Sequence, residues 1–410
     1  MSKTRVVEHT LSNGLKIICE HAPEAKSVGI GFFVQTGSRD ETRKESGVSH
    51  FLEHMLFKGT PRRSALDLTF DMGNIGAQSN AYTSEENTVY YASVLPEYRE
   101  NMQEILCDML RPSLDAQEFD TEKNVILEEI ALYQDRPQFY LFDNATTHFF
   151  GGHPAGNSVL GSNESIKALT RDEMKDYFDR RYAPNNMVFV CAGKIDPDAV
   201  IRQAEELCGS WTRFDTPRER PSLVTTAREK IFTKPNIQQS HVLLLADGPS
   251  AQDEERYALS LLSMILGDST GSRMYYELVQ TGIAESAGCD TDERDAVGDF
   301  YAYAVTEPDQ IDRVSGIMRS IISSPGKFTE ADLNRAKTKS ISRIVASGEL
   351  PMGRLMALGN EWLYRGEISN LQQLIADIKA VTVNDIHRAL ERYSLSVLSE
   401  YRLIPESAAA

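Results

Sequence analysis

Ser49-His50-Phe51-Leu52-Glu53-His54-Met55 decides how this chain is read. On a helix, residues four apart lie on one face, so His50 and His54 aim two imidazoles at one point. Glu53 lies three residues after His50 and one before His54. It sits beside that point, near enough to act on a water there, and is poorly placed as a third ligand in the same turn. Two neutral imidazoles suit zinc, and a catalytic zinc centre takes three protein ligands and keeps one position open. The bland alternative is a half-buried helix whose polar side chains are satisfied by their neighbours.

The motif lacks a third ligand, so a carboxylate is expected on a second helix. Asp120 to Ile130 is such a helix, with Asp120 available as its N-cap. Glu122 and Glu129 are seven apart, about two turns, and share a face. Glu129 can ligate a metal while Glu122 orients a histidine from behind. Glu128 points about 100° away and reads as a solvated neighbour. Taken alone, an acidic helix face is more often plain surface.

These residues carry a resemblance. The chain resembles the pitrilysin, insulin-degrading and mitochondrial processing peptidase family of inverzincins, whose metal motif runs H-x-x-E-H. The likeness is to short bacterial members of processing-peptidase type. It runs through Leu11-Ser12-Asn13-Gly14-Leu15, Gly37-Ser38-Arg39-Asp40-Glu41 and Gly47-Val48-Ser49-His50. It continues through Asn80-Ala81-Tyr82-Thr83, Glu122 with Glu129, and Tyr182-Ala183-Pro184-Asn185-Asn186-Met187. It covers essentially the whole chain, densely in the first half and thinly in the second. The resemblance implies that His50, His54 and Glu129 bind Zn2+, that Glu53 is the general base, and that Glu122 supports the site.

Length and composition agree. A chain of 410 residues exceeds one ordinary core, so two domains are expected. With 41% hydrophobic and 25% charged residues it reads as a globular protein, and no apolar run is long enough to span a bilayer. Its start has no signal-peptide core, which gives a cytoplasmic expectation with no membrane partner. The formal charge of −17 disfavours nucleic acid, whose binding rests on Lys and Arg neutralising phosphates. Cys19, Cys107, Cys191, Cys208 and Cys289 are odd in number and widely spaced, so they read as buried thiols rather than a disulfide framework.

Periodicity predicts an α+β chain. A hairpin over 3–9 and 14–20 turns at Asn13-Gly14. Strands follow at 27–34, 76–83, 87–94 and 187–193, with helices at 47–58, 64–72, 97–112, 117–134, 140–149 and 171–179. Residues 212–228 are rich in Pro, Thr, Arg and Asp and read as an irregular connection. Beyond it, strands are expected at 238–246, 283–291, 297–306 and 395–403. Helices are expected at 252–266, 271–280, 309–323, 329–347, 351–364, 370–378 and 383–392. The order of elements repeats that of the first half. The expected division is an N-terminal zinc-binding catalytic domain over 1–215, a linker over 216–228 and a structurally similar domain over 229–410. The resemblance implies two α/β halves, each a mixed sheet packed with helices, closing on a peptide like a clamshell.

Asn80-Ala81-Tyr82-Thr83 fits an ordinary strand. It equally fits an edge strand that pairs with the backbone of an extended peptide. The resemblance favours the second role, carried by Asn80 and Ala81. In complete family members the second half also supplies an Arg and a Tyr, in a pattern Arg-Glu-x-x-Gly-Leu-Ala-Tyr. Here the matching run, Gly271 to Glu285, is one residue short. Val279 or Gln280 falls where the Arg belongs, and Glu285 falls where the Tyr belongs. Tyr275, Tyr301 and Tyr303 are the nearby substitutes. The gap implies a related subunit that supplies the pair in a heterodimer; the other expected assembly is a homodimer. Three readings stand: a zinc metalloendopeptidase acting on short or unfolded peptides, a non-catalytic peptide-binding or scaffold subunit of the same fold, and a metal-dependent hydrolase of another substrate class.

Overall fold

The computed structural model describes residues 4–325 and 327–408; residue 3, the expected start of the first strand, lies outside them. In chain order the first half has β1 (Arg5–Thr10), β2 (Lys16–His21), β3 (Val28–Val34), α1 (Val48–Leu56) and α2 (Ala65–Asn74). There follow β4 (Gln78–Thr83), β5 (Thr88–Val94), α3 (Arg99–Met109), α4 (Ala116–Gln134) and α5 (Pro137–Phe150). It ends with α6 (Asn163–Ala168), α7 (Arg171–Arg181), β6 (Met187–Gly193) and α8 (Pro197–Cys208). The second half has β7 (Glu229–Lys234), β8 (Ser240–Asp247), α9 (Arg256–Gly267), β9 (Ser286–Glu293) and β10 (Gly298–Thr306). It closes with α10 (Ile311–Ser323), α11 (Glu330–Gly348), α12 (Pro351–Arg365), α13 (Leu371–Ala380), α14 (Val383–Arg392) and β11 (Ser399–Pro405). No helix among the described residues is long and apolar enough to cross a membrane.

The strands form two mixed sheets, ordered β1-β2-β6-β3-β5-β4 and β7-β11-β8-β10-β9. Without β1 the first sheet has the same order and the same strand senses as the second. β2 runs parallel to β6 as β7 does to β11, and the remaining neighbours are antiparallel. The repeat that the element order suggested is therefore a repeat of topology. In the first sheet β3 and β6 lie in the middle and bury every residue, which is why Val28 to Val34 reads as a continuous apolar run rather than an alternation. β4 lies at the sheet edge, paired only with β5, and its Gln78, Ser79 and Asn80 are exposed.

One of the chain's crossings between its two compact units falls at Glu219 and Arg220, inside the irregular stretch 212–228. The division by sequence needs two corrections. Residues 131–156, expected in the first domain, belong to the second unit, and residues 345–369, expected in the second, belong to the first. Packing explains both. The apolar face of α5 (Leu141, Ala145, Phe149) shares a core with Leu243, Leu245, Tyr401 and Leu403 of β8 and β11. Leu355 and Leu358 of α12 share a core with Phe33, Val188 and Val190 of β3 and β6. The approach of α12 to its sheet is close enough that a Cβ on Gly359 would lie 2.4 Å from the Phe33 ring. Other elements differ as well. α6, α8 and β7 are additional to those expected. The helix expected over 271–280 is shorter, covering 273–279, and its last five residues, Tyr275–Val279, are wound as a π-turn in which the Gln280 N–H reaches Tyr275 O at 2.8 Å.

One ion pair fixes α12 to the first sheet. Arg354 donates from Nε and Nη2 to the Glu20 carboxylate of β2, at 2.7–3.0 Å, and both residues are buried. Breaking such a pair strands a buried charge, whereas replacing both members with apolar side chains does not. Arg354→Met should therefore destabilise the first unit by about 3–5 kcal/mol. The double change Glu20→Met/Arg354→Met should cost less than the two single changes added together. Urea unfolding of the four proteins measures this, and strictly additive losses would contradict it.

Candidate metal centre

α1 is helical because Val48, Phe51, Leu52, Met55 and Leu56 form one buried apolar face. That seating leaves His50, Glu53 and His54 together on the helix flank, with the imidazole centroids 4.8 Å apart. α4 comes alongside through Phe119, whose ring stacks on Phe51 at 4.7 Å. Phe119, Glu122, Ile126 and Ile130 are buried. Their spacing fixes the rotation of α4 and turns Glu129 toward α1 while Glu128 stays exposed. The start of α4 corrects the expected cap. The helix begins at Ala116, Asp115 accepts the Gln117 and Glu118 N–H groups, and Asp120 lies a turn inside.

The ligand atoms of His50, His54 and Glu129 all lie within 4.8 Å of one another. His50 Nε2 is 3.7 Å and His54 Nε2 3.4 Å from Glu129 Oε2. His54 donates from Nδ1 to Glu122 Oε1 at 2.8 Å, which leaves its Nε2 lone pair for the shared point. Glu122 is held in turn by Lys58, whose Nζ is 2.6 Å from Oε2. Glu53 lies beside the cluster and accepts a hydrogen bond of 2.6 Å from the Thr83 hydroxyl at the end of β4.

The electrostatics favour a cation here. Burial, helped by the charge of His54, pushes His50 down to about 4, so its imidazole is neutral at neutral pH, the form that binds metals. Burial also pulls His54 down, but the Glu122 hydrogen bond and the charges of Glu129, Glu53 and Glu122 outweigh it and hold His54 above its ordinary value. Positive charge is thus stabilised at the point between the imidazoles, as a proton or as a metal ion. Burial raises the Glu53 carboxyl, with Glu129 adding to the rise and Thr83 and His54 opposing it. Burial likewise opposes ionisation of Glu122, and the hydrogen bonds from His54 and Lys58 prevail, so its carboxyl lies below the usual range. Two imidazole nitrogens, one carboxylate and a buried negative surround fit a divalent ion of zinc type.

His50, His54, Glu129, Glu53 and Glu122 are brought together within the first unit. Asn80 and Ala81 lie on the exposed edge strand β4, which packs beside α1. Tyr275, Tyr301, Tyr303, Val279, Gln280 and Glu285 belong to the second unit. The Tyr303 hydroxyl is already engaged with His241 Nδ1, at 2.6 Å. Lys58 and Thr83 were not singled out from the sequence. The spacing of Lys58, four residues after His54, was a usable signal. Nothing local marks Thr83, whose contact with Glu53 is made across the fold.

Comparison with known proteins identifies the family. Residues 16–163 match the family model for insulinase, peptidase family M16, and residues 168–340 match the model for the peptidase M16 inactive domain. An uncharacterized zinc protease of Bacillus subtilis is 32% identical, over 96% of this chain and 98% of that protein. An uncharacterized zinc protease of Mycobacterium tuberculosis is also 32% identical, over 96% of this chain and 92% of that protein. The crystal structure of a protease from Helicobacter pylori shares the fold with a TM-score of 0.90 at 20% identity, over 98% of this chain and all of that one. A peptidase M16 inactive domain from Pseudomonas fluorescens gives 0.88 at 18% identity, over 98% of each chain. With relatives of this identity along nearly its whole length, the chain belongs to peptidase family M16, the insulinase family.

Proposed function

We propose that this protein is a zinc metalloendopeptidase that hydrolyses peptide bonds in short or unfolded peptides. The observation that carries the reading is the convergence of His50 Nε2, His54 Nε2 and Glu129 Oε2 on one point, with the Glu53 carboxylate held beside it by Thr83. The names of the relatives, zinc proteases, support the choice of metal.

His50, His54 and Glu129 hold the zinc, and Glu122 fixes the tautomer of His54 while Lys58 fixes Glu122. When bound, zinc supplies Lewis acidity toward a water and a scissile carbonyl. Glu53 accepts a proton from the attacking water and passes it to the leaving amine. Burial favours this role by raising the basicity of its carboxylate. Asn80 and Ala81 hold an extended peptide by adding it to the free edge of β4, where main-chain groups are available for pairing. An oxyanion donor is also required, and loss of one such donor commonly costs about 3–4 kcal/mol. With Val279 or Gln280 and Glu285 at the positions of the family's Arg and Tyr, that donor comes from a partner subunit. The same gap, together with the match of residues 168–340 to an inactive-domain model, favours one second reading, a non-catalytic peptide-binding subunit. Turnover separates the two.

Three outcomes are expected. One zinc binds per chain. Glu122→Gln weakens it by about 10–100-fold, Glu129→Gln weakens it further, and Glu128→Gln has no effect. Chelator competition measures this, and a zinc site lost with Glu128→Gln but kept with Glu129→Gln would reverse the assignment. Glu53→Gln retains zinc and lowers hydrolysis of a quenched fluorescent peptide by about 10²–10⁴-fold; unchanged turnover in the zinc-replete variant removes Glu53 from the mechanism. The isolated chain turns over that peptide slowly, and a related chain carrying Arg-Glu-x-x-Gly-Leu-Ala-Tyr accelerates it. High activity of the isolated chain would place the donor within it, with Tyr275, Tyr301 and Tyr303 the first to be changed to Phe.

A further inference from the structure

Most helices of this protein that carry a side-chain cap take it from the N-cap residue itself, as Ser64, Thr170 and Thr382 do for α2, α7 and α14. α1 cannot. Its N-cap, Gly47, has φ +91, and a Cβ there would lie 2.7 Å from Leu160 O and 2.8 Å from Ile166 Cδ1. The position therefore excludes the side chains that cap helices. The first N–H groups are nonetheless buried and need acceptors.

Glu41, six residues upstream, provides them. Its Oε2 accepts the Gly47 N–H and its Oε1 accepts the Ser49 N–H, each at 2.7 Å. Glu41 is itself buried, and burial pushes its carboxyl up to about 7 against the pull of those donors. The same turn is held from a second side. The Ser49 hydroxyl bonds the Tyr177 hydroxyl of α7 at 2.7 Å, and Tyr177 bonds Thr36 at 3.0 Å. Thr36 also receives Arg181 Nε at 3.0 Å, and Arg181 pairs with Asp40, the neighbour of Glu41, at 2.8 Å. The segment before α1 and the helix α7 thus grip the first turn of α1 at two points of one residue, Ser49, which directly precedes the ligand His50.

We infer that Glu41 is a positioning residue for the metal centre: by bonding both Gly47 and Ser49 it sets the rotation and height of α1, and so the meeting of His50 and His54 with Glu129. The inference rests on the zinc reading above. A carboxylate is suited to the task because its two oxygens accept two N–H groups at once and its charge opposes the positive end of the helix. Glutamine keeps the size but offers one acceptor oxygen. Aspartate keeps the charge but is shorter by one methylene.

The test compares zinc affinity with stability on the full chain. Glu41→Gln should weaken zinc, measured by chelator competition, by about tenfold, the scale of loss seen when an orienting partner of a metal ligand is removed. The visible spectrum of the cobalt(II)-substituted protein should also change. Arg354→Met serves as the control, since it loosens the first unit at the contact of α12 with β2 and leaves the Glu41 bonds intact; its affinity and cobalt spectrum should match those of the wild type. If Glu41→Gln does not fold, Glu41→Asp decides the same comparison. A variant with native circular dichroism, wild-type zinc affinity and an unchanged cobalt spectrum would overturn the inference, whatever its loss of melting temperature. Failure of the wild type to bind zinc would instead sink the metal reading on which it rests.

Discussion

The metal centre depends on the phase between two helices that are far apart in sequence. α1 carries two imidazoles on its flank, and α4 must present a carboxylate to them while hiding Phe119, Ile126 and Ile130. The contact that sets this phase is apolar. Phe51 of α1 stacks on Phe119 of α4, and the remaining buried residues of α4 allow no other rotation without exposing them. A change of one residue in register would turn Glu128 toward the histidines and Glu129 toward solvent, because successive residues on a helix point about 100° apart. The hydrophobic seating thus turns α4 toward α1, and polar contacts hold α1 and the individual ligands in place.

Those polar contacts form a chain that begins away from the ligands. Lys58 steadies Glu122, Glu122 fixes the tautomer of His54, and Thr83 steadies Glu53. Each link takes a group whose charge burial would otherwise discourage and supplies the partner that stabilises it. The result is a small volume rich in carboxylate, whose hydrogen bond and charges hold His54 above its ordinary value against the pull of burial. A site with that balance is prepared for a cation. The edge strand β4 closes the arrangement functionally, since Thr83 and the exposed Asn80 lie on one short strand. The residue that holds the proposed base and the residue proposed to hold the peptide are therefore fixed to one another by covalent geometry.

What was legible in the sequence is what is local. His50, Glu53 and His54 are related by helical spacing alone, and the pairing of Glu122 with Glu129 on one face follows from the same arithmetic. The central strand Val28 to Val34 announces itself by an unbroken apolar run, and Asn13-Gly14 by turn chemistry. Local signals also misled. Asp120 looks like a cap, but Asp115 begins the helix earlier, because Phe119 is needed inside it. Residues 271–280 have the composition of a regular α-helix, but the helical part is 273–279 and most of it is wound as a π-turn. α8 does carry a local start signal, Asp196-Pro197, and Asp196 caps it. The membership of 131–156 and 345–369 was beyond reach for a different reason. An amphipathic helix states that it needs an apolar partner but not which of two similar sheets provides it. Lys58, Thr83 and Glu41 act through contacts between segments, which spacing does not encode except in the single case of Lys58.

Zinc-edge anomalous diffraction from crystals of the zinc-loaded protein measures the central claim directly. The account predicts one strong peak per chain at bonding distance, about 2.0–2.2 Å, from His50 Nε2, His54 Nε2 and a carboxylate oxygen of Glu129. A peak elsewhere in the chain, or one whose carboxylate ligand is Glu128, would contradict it.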